Sequence, residues 1–360
     1  MTESRPSIAE PTTIDVRPPT ARTRSVIILL ILILGVSVVL SALVGSVRLP
    51  ITAVVTTVME AAGLIPVGTD ETTRAIVLQI RLPRIVLAVV VGMALAASGT
   101  VFQGLFRNPM ADPFIIGVSG GAALGATTAI VFGMTFSVLG LSSATVLAFA
   151  GALGVALVVY RLALDRGDVV VEHLLLAGVA LGAFLAAVIS ALQLAGGESL
   201  QQVLFWLMGG FSGRGWDHVA LSAPYVVAGY AAAWVYARDL NLLVLGDDTA
   251  RSLGVAVGRA RMWLTAAGAL MAAAAVAVSG LIGFVGLVVP HLLRLIVGPD
   301  HRRLLPSAAL AGGITLLAAD TVARGVLAPV EIPVGIVTAA MGAPFFLYLL
   351  KKHRRRTYWS

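Results

Sequence analysis

Cysteine is absent from the 360 residues, and charge is scarce: Asp, Glu, Lys and Arg together make up 12%, where a soluble domain carries about 25%. The first absence excludes a disulfide framework, an iron–sulfur cluster and any thiolate metal site. The second excludes an ordinary water-facing surface. With 58% hydrophobic residues and a mean hydropathy of +0.97, the chain reads as a membrane protein. There is no GxxxxGKS or GxxxxGKT loop to cradle a nucleotide's phosphates, no HExxH and no GxSxG elbow. Inside the apolar runs the ionisable groups are His291 and Arg294, near one end of the eighth run, and Asp320 in the ninth. That is too few for the line of carboxylates or histidines along a proton pump's path. His291 has no second His, Cys or carboxylate at ligand spacing and reads as structural. No active site, metal or cofactor is expected in this chain.

What is present is apolar length. Nearly uncharged runs fall at about 25–47, 85–106, 114–133, 142–160, 174–197, 219–237, 262–281, 282–297, 304–323 and 332–350. Most approach the ~20 residues that cross ~30 Å of hydrocarbon at 1.5 Å per residue. The expected fold is an all-α polytopic membrane protein of about ten crossings, one integral domain over residues 25–350. Residues 1–24, polar and of mixed charge, read as a disordered tail, and residues 351–360 as a basic tail. The run that starts at Ser25 exceeds the core of a signal peptide and is expected to be retained. Met262–Pro290 is one uncharged stretch cut by Gly280, Gly283, Gly286 and Pro290, a pattern that a short or discontinuous helix tolerates when other helices bury its backbone.

Ten crossings put both termini on one side. Of the 25 basic residues, 19 fall on that side and 6 (Arg48, Arg74, Arg81, Arg84, Arg214 and Arg324) on the other, so both termini are expected in the cytoplasm. The net charge of +7 sits in short loops rather than on one solvated face, and nucleic acid is not an expected partner. Ala94–Gly99 followed by Pro109 resembles Ala275–Gly280 followed by Pro290, at a constant offset of 181 residues. On this topology the copies run in opposite directions, as in the inverted repeats of transporters. Chance recurrence of small residues is an equal alternative.

The loop RDLNLLVLGDDTARSLGVAVGRAR, residues 238–261, is too apolar for a flexible linker. Asp247 is expected to cap a short helix there, with Asp248 at its positive end and Leu253-Gly254 as its stop. Such a helix would present Ala250 and Leu253 to a partner's groove, or lie on the membrane surface. Arg81 and Arg84 share a helical face, with Leu82-Pro83 marking the start of the second span, and Arg324 ends the ninth on the same side. Three exposed guanidiniums there could receive carboxylates of a docking protein or anchor helix ends among lipid headgroups. By charge alone, anchoring is the simpler reading.

The strings RLPR, SGTVFQGLFRNPMADPFIIGVSGGA, LLLAGVAL, WLMGGFSG, LGDDTARSLGV, SGLIGFVGLVVPHLLR, DHRRLLP and PVGIVTAAMGAPFF follow in that order. Over about Arg81 to Leu350 the chain resembles the FecCD family of ABC-importer permeases. The resemblance implies a type II ABC importer permease fold. It implies two permease copies around a central path, two cytoplasmic ATPase subunits and an external substrate-binding protein, in the cytoplasmic membrane of a prokaryote. It assigns Arg81, Arg84 and Arg324 to docking of the binding protein, which then outranks lipid anchoring. It assigns Gly246, Asp247, Asp248, Ala250, Leu253 and Gly254 to the element that sits in the ATPase groove. By the same resemblance Asn108, Pro109 and Met110, with Val171 and Glu172, narrow the cytoplasmic exit. In the family's vitamin B12 permease a leucine stands where this chain has Met110, and small hydroxyl residues where it has Val171-Glu172. The implied cargo is a bulky metal chelate, with a ferric siderophore favoured as the commonest and haem or cobalamin as alternatives. An ion-gradient-driven secondary transporter is the competing class.

Overall fold

The computed structural model describes residues 21–45, 49–66, 68–165 and 168–357. Of the expected tails, residues 1–20 and 358–360 lie outside the described residues. Helix α1 (Ala21–Leu43) is followed by the short α2 (Ile51–Ala61) and α3 (Glu71–Ala75). Glu60 Oε1 closes the intervening loop by accepting from Gly68 N and Thr69 N, both at 2.9 Å. A π-helical stretch, Ile76–Arg81, runs without a break into α4 (Leu82–Leu105). Then come a 3-10 turn at Pro113–Ile116, α5 (Val118–Val131), α6 (Ser143–Leu162), α7 (Val171–Ala195), α8 (Leu200–Met208) and α9 (Trp216–Val235). The chain continues through α10 (Ala237–Val244), α11 (Asp247–Ser252), α12 (Val257–Ser279), α13 (Val285–Val297), α14 (His301–Gly325) and α15 (Val334–Thr357). Two-residue strands pair as hairpins ahead of α6 and α7: β1 (Ser137–Val138) with β2 (Leu141–Ser142), and β3 (Leu164–Asp165) with β4 (Asp168–Val169).

Among the described residues, seven helices are long and apolar enough to cross a membrane: Thr23–Leu43, Glu71–Leu105, Ser143–Leu162, Val171–Ala195, Trp216–Val235, Val257–Ser279 and His301–Gly325. With the shorter apolar helices Ile51–Ala61, Val118–Val131, Val285–Val297 and Val334–Tyr348, this is roughly consistent with the expected ten crossings. The fold is an all-α polytopic bundle. Its centre is α4, α12 and α14, while α1, α7 and α9 turn most of their apolar surface outward, as lipid-facing helices do.

Small residues let the central helices touch through their backbones, the means by which membrane helices gain packing where lipid is as apolar as leucine. A Cβ on Gly99 of α4 would stand 1.8 Å from the Gly286 carbonyl oxygen of α13, and one on Gly92 would stand 2.3 Å from Gly312 O of α14. The uncharged stretch 262–290 is two helices, as its glycines predict. Gly280 and Phe284 both take φ +69 between α12 and α13. Gly210 N donates to Ser279 O at 2.7 Å, so the unwound segment finds partners inside the protein.

Leu82-Pro83 does not begin the helix. The helix continues through it from Glu71 to Leu105, and the π stretch explains how. In the wider turn Leu82 N reaches back five residues to Val77 O. The next donor in that pattern would be Pro83, which has no N–H. The Leu78 carbonyl it leaves receives the indole Nε1 of Trp216 at 2.9 Å.

Candidate functional site

At the start of α4, the three arginines singled out in the sequence come together, but they are not exposed. Arg81, Arg84 and Arg324 keep 5%, 8% and 5% of their surface. The reason is a set of internal partners that charge counting could not place. Arg84 Nη2 and Nε donate to Asp320 Oδ1 at 2.8 and 3.0 Å, while its Nη1 donates to both oxygens of Glu331 at 2.9 Å. Arg324, one turn beyond Asp320 on α14, donates from Nε to Asp320 Oδ2 at 3.0 Å. Its other nitrogens reach Val44 O at 2.6 Å and Ser41 Oγ at 2.6 Å, and Arg81 Nη1 donates to Ala42 O. Two guanidiniums thus satisfy carbonyls at the end of α1, where a helix leaves acceptors and partial negative charge. Asp320 itself is fully buried.

Some 24 residues on, at ~1.5 Å each, the far end of α4 carries the second cluster. Arg107, in the left-handed region at φ +49, donates from Nε to Leu243 O at 2.9 Å and from Nη2 to Asp247 Oδ1. Arg261 of α12 donates to the same Asp247 oxygen at 2.7 Å and to Val169 O at 3.1 Å. Arg251 of α11 reaches Asp168 Oδ2 at 3.3 Å. Asp247 therefore ties α11 to the turn after α4 and to α12, and Arg261 in turn ties α12 to β4.

This overturns two expectations about α11. The N-cap is Gly246 at φ +117 with no side-chain cap bond, because the Asp247 carboxylate is taken by the two arginines. Ala250 is fully buried and cannot enter a partner's groove, whereas Leu253 is 54% exposed and can. The helix stop is where the sequence put it. Gly254, at φ +85, donates to Arg251 O at 3.0 Å and Val255 N to Ala250 O at 3.0 Å, a left-handed glycine cap.

Both expected gate segments adjoin this cluster. Asn108, Pro109 and Met110 form an exposed turn directly after Arg107, held by Asn108 Oδ1 accepting from Met110 N at 2.9 Å. The turn leads to Asp112, whose carboxyl is pushed up by burial although Phe114 N donates to it at 2.8 Å. Val171 and Glu172 open α7 directly after β4, with Glu172 exposed in the first turn, where the helix dipole favours a carboxylate. Further along α7, a Cβ on Gly178 would lie 2.1 Å from Ile115 O, so α7 packs on the segment that follows the first turn.

The FecCD transport family matches residues 30–352. The chain belongs to the FecCD transport family. It is 51% identical to the cobalamin import system permease protein BtuC of Halobacterium salinarum over 80% of this chain and 77% of that one. It is 44% identical to the hemin transport system permease protein HmuU of Yersinia pestis, over 80% and 87%. The Fe(3+)-citrate import system permease protein YfmE of Bacillus subtilis shares 38% over 92% and 96%. A solved inward-facing structure of a metal-chelate type ABC transporter superposes with a TM-score of 0.79 and 34% identity, covering 91% of this chain and 99% of that one. The chain is a polytopic membrane permease of an ABC importer.

In this FecCD permease, sequence reasoning missed Glu331, Asp168, Arg107 and Arg261 as members of the two clusters. Nothing local marks them, since each pairs with a residue distant in the chain or across a helix break. Gln103 was missed too: buried in α4, it accepts from Arg294 Nη1 at 3.0 Å and donates to Leu287 O at 3.0 Å. That gives Arg294 a structural partner. Among the described residues, no three His, Asp or Glu side chains are grouped to hold a metal ion.

Proposed function

We propose that this chain forms, with a second copy of itself, the path of a binding-protein-dependent importer for a bulky metal chelate. ATP is hydrolysed by two separate cytoplasmic ATPase subunits. Both termini and α11 face the cytoplasm, and the Arg84 end faces outward toward the binding protein. The 51% identity to a cobalamin permease weighs toward a corrinoid over the ferric siderophore that base rates favour, with haem as the third candidate.

The mechanism rests on one observation, the Asp247 joint. A subunit that grips α11 and moves it pulls directly on Arg107, next to the Asn108–Met110 turn. Through Arg261 and Arg251 it pulls on β4, which is followed at once by Val171 and Glu172. ATP binding that closes the ATPase pair would thereby shift both exit segments together, and the energy transferred is the difference in contacts between the two states. A gradient-driven carrier is disfavoured because Asp320, the fully buried carboxylate of α14, is committed to two arginines.

Affinity purification of the tagged permease from its own membrane tests this reading. An ATPase and a binding protein that retains a metal chelate should accompany it. Recovery of the permease with neither subunit, from membranes active in uptake, would contradict it.

A further inference from the structure

We propose that Glu331 is a built-in stand-in for the partner's carboxylate: it occupies the Arg84 guanidinium in the undocked state and gives way when an acidic side chain of the binding protein arrives. The inference rests on the docking role proposed for the arginine cluster and adds to it a competitor inside the chain.

The two carboxylates on Arg84 are unlike in their setting. Asp320 is fully buried within α14, holds Arg84 through Nε and Nη2, and is shared with Arg324. It cannot leave without stranding two buried charges. Glu331 instead lies on the segment between α14 and α15, where residues 325–330 are exposed, and its own side chain is 28% exposed. It holds only Nη1, with both oxygens at 2.9 Å. The segment is tethered to α14 by Ile332 N donating to Ala323 O at 3.1 Å, which fixes Glu331 over Arg84 without locking its side chain into the bundle.

Arg84 keeps 8% of its surface, and the Nη1 edge is the one whose partner reaches solvent. An incoming carboxylate would meet the guanidinium there, in the two-oxygen geometry Glu331 already adopts. Exchange of one carboxylate for another leaves no buried charge unpaired, since the displaced Glu331 side chain is the one that reaches solvent. It avoids the cost of opening a bare buried arginine before the partner docks, and it rejects neutral or basic surfaces, which cannot replace the departing anion.

The sign of the effect tests the idea. Permease, assembled with its ATPase in nanodiscs, is titrated with the binding protein that co-purifies with it. Removing the competitor by Glu331→Gln should tighten capture about five- to tenfold, a little less than the smallest coupling measured for close interfacial charge pairs, because Glu331 is partly solvated. Glu331→Asp, charged but shorter, should fall between. As a readout independent of the partner, Arg84 should react faster with phenylglyoxal in Glu331→Gln than in the parent. If Glu331→Gln leaves capture unchanged or weakens it while Arg84→Glu abolishes capture, Glu331 is structural and the stand-in is overturned although docking stands. If Arg84→Glu leaves capture unchanged in a variant that still assembles, the docking role fails and this inference with it.

Discussion

Asp247 and Asp320 are the residues on which the two ends of the molecule depend, and their settings predict different consequences. Asp320 is buried between Arg84 and Arg324, so Asp320→Ala takes a shared anion from two buried guanidiniums. That leaves Arg324 with no anion and Arg84 with Glu331 alone, and it should destabilise the folded permease by about 3–5 kcal/mol, the cost of breaking a buried pair from one side, read as a lower midpoint in denaturant titration in detergent. Asp247 is only partly buried, at 28% side-chain exposure, and Arg107, at 41%, can turn to water. Arg107→Gln should therefore assemble with the ATPase and hydrolyse ATP while moving several-fold less cargo per ATP, and uptake scored against phosphate release checks this. Asp112 behaves oppositely to a paired acid. Burial raises its folded pKa above the unfolded value, so the charged form costs stability. That cost is absent at low pH and grows as the pH rises through the raised value. Asp112→Asn keeps an oxygen for Phe114 N, and should flatten this decline in a thermal-stability series across pH.

Among elements, the long helices were legible because apolar runs of membrane length have few other solutions in lipid. The break between α12 and α13 was legible from its glycines, and the stop of α11 from Leu253-Gly254. Gly254→Pro removes the Gly254 N–H bond to Arg251 O and forbids φ +85. It should uncouple hydrolysis from uptake in a folded permease. What the sequence concealed was set by tertiary contact. Leu82-Pro83 looks like a helix start, and only Trp216, from the opposite half of the chain, supplies the donor that lets the helix run through it. Asp247 looks like an N-cap because its spacing is right, and two arginines from other elements claim it instead. The arginine trio looks exposed until Asp320 and Glu331 are seen to pair with it. At Gly99, where the α4 and α13 backbones touch, even Gly99→Ala should cost folding yield, checked by the fraction recovered monodisperse after extraction.

At the scale of the whole molecule, α4 links the two clusters, with Arg84 at its start and Arg107 just past its end. The bundle around it is lined by small residues and carries neither a nucleotide loop nor a buried carboxylate free of arginine partners along α14. On the proposed function its part is to change shape when the ATPase subunit moves α11. The most direct test of that claim is uptake of radiolabelled cobalamin, haem or ferric chelate into proteoliposomes holding permease, ATPase and binding protein, compared with and without ATP. Accumulation that requires ATP, and persists when ion gradients are collapsed, is the predicted result. Uptake by the permease alone, driven by an ion gradient and indifferent to ATP, would contradict the account.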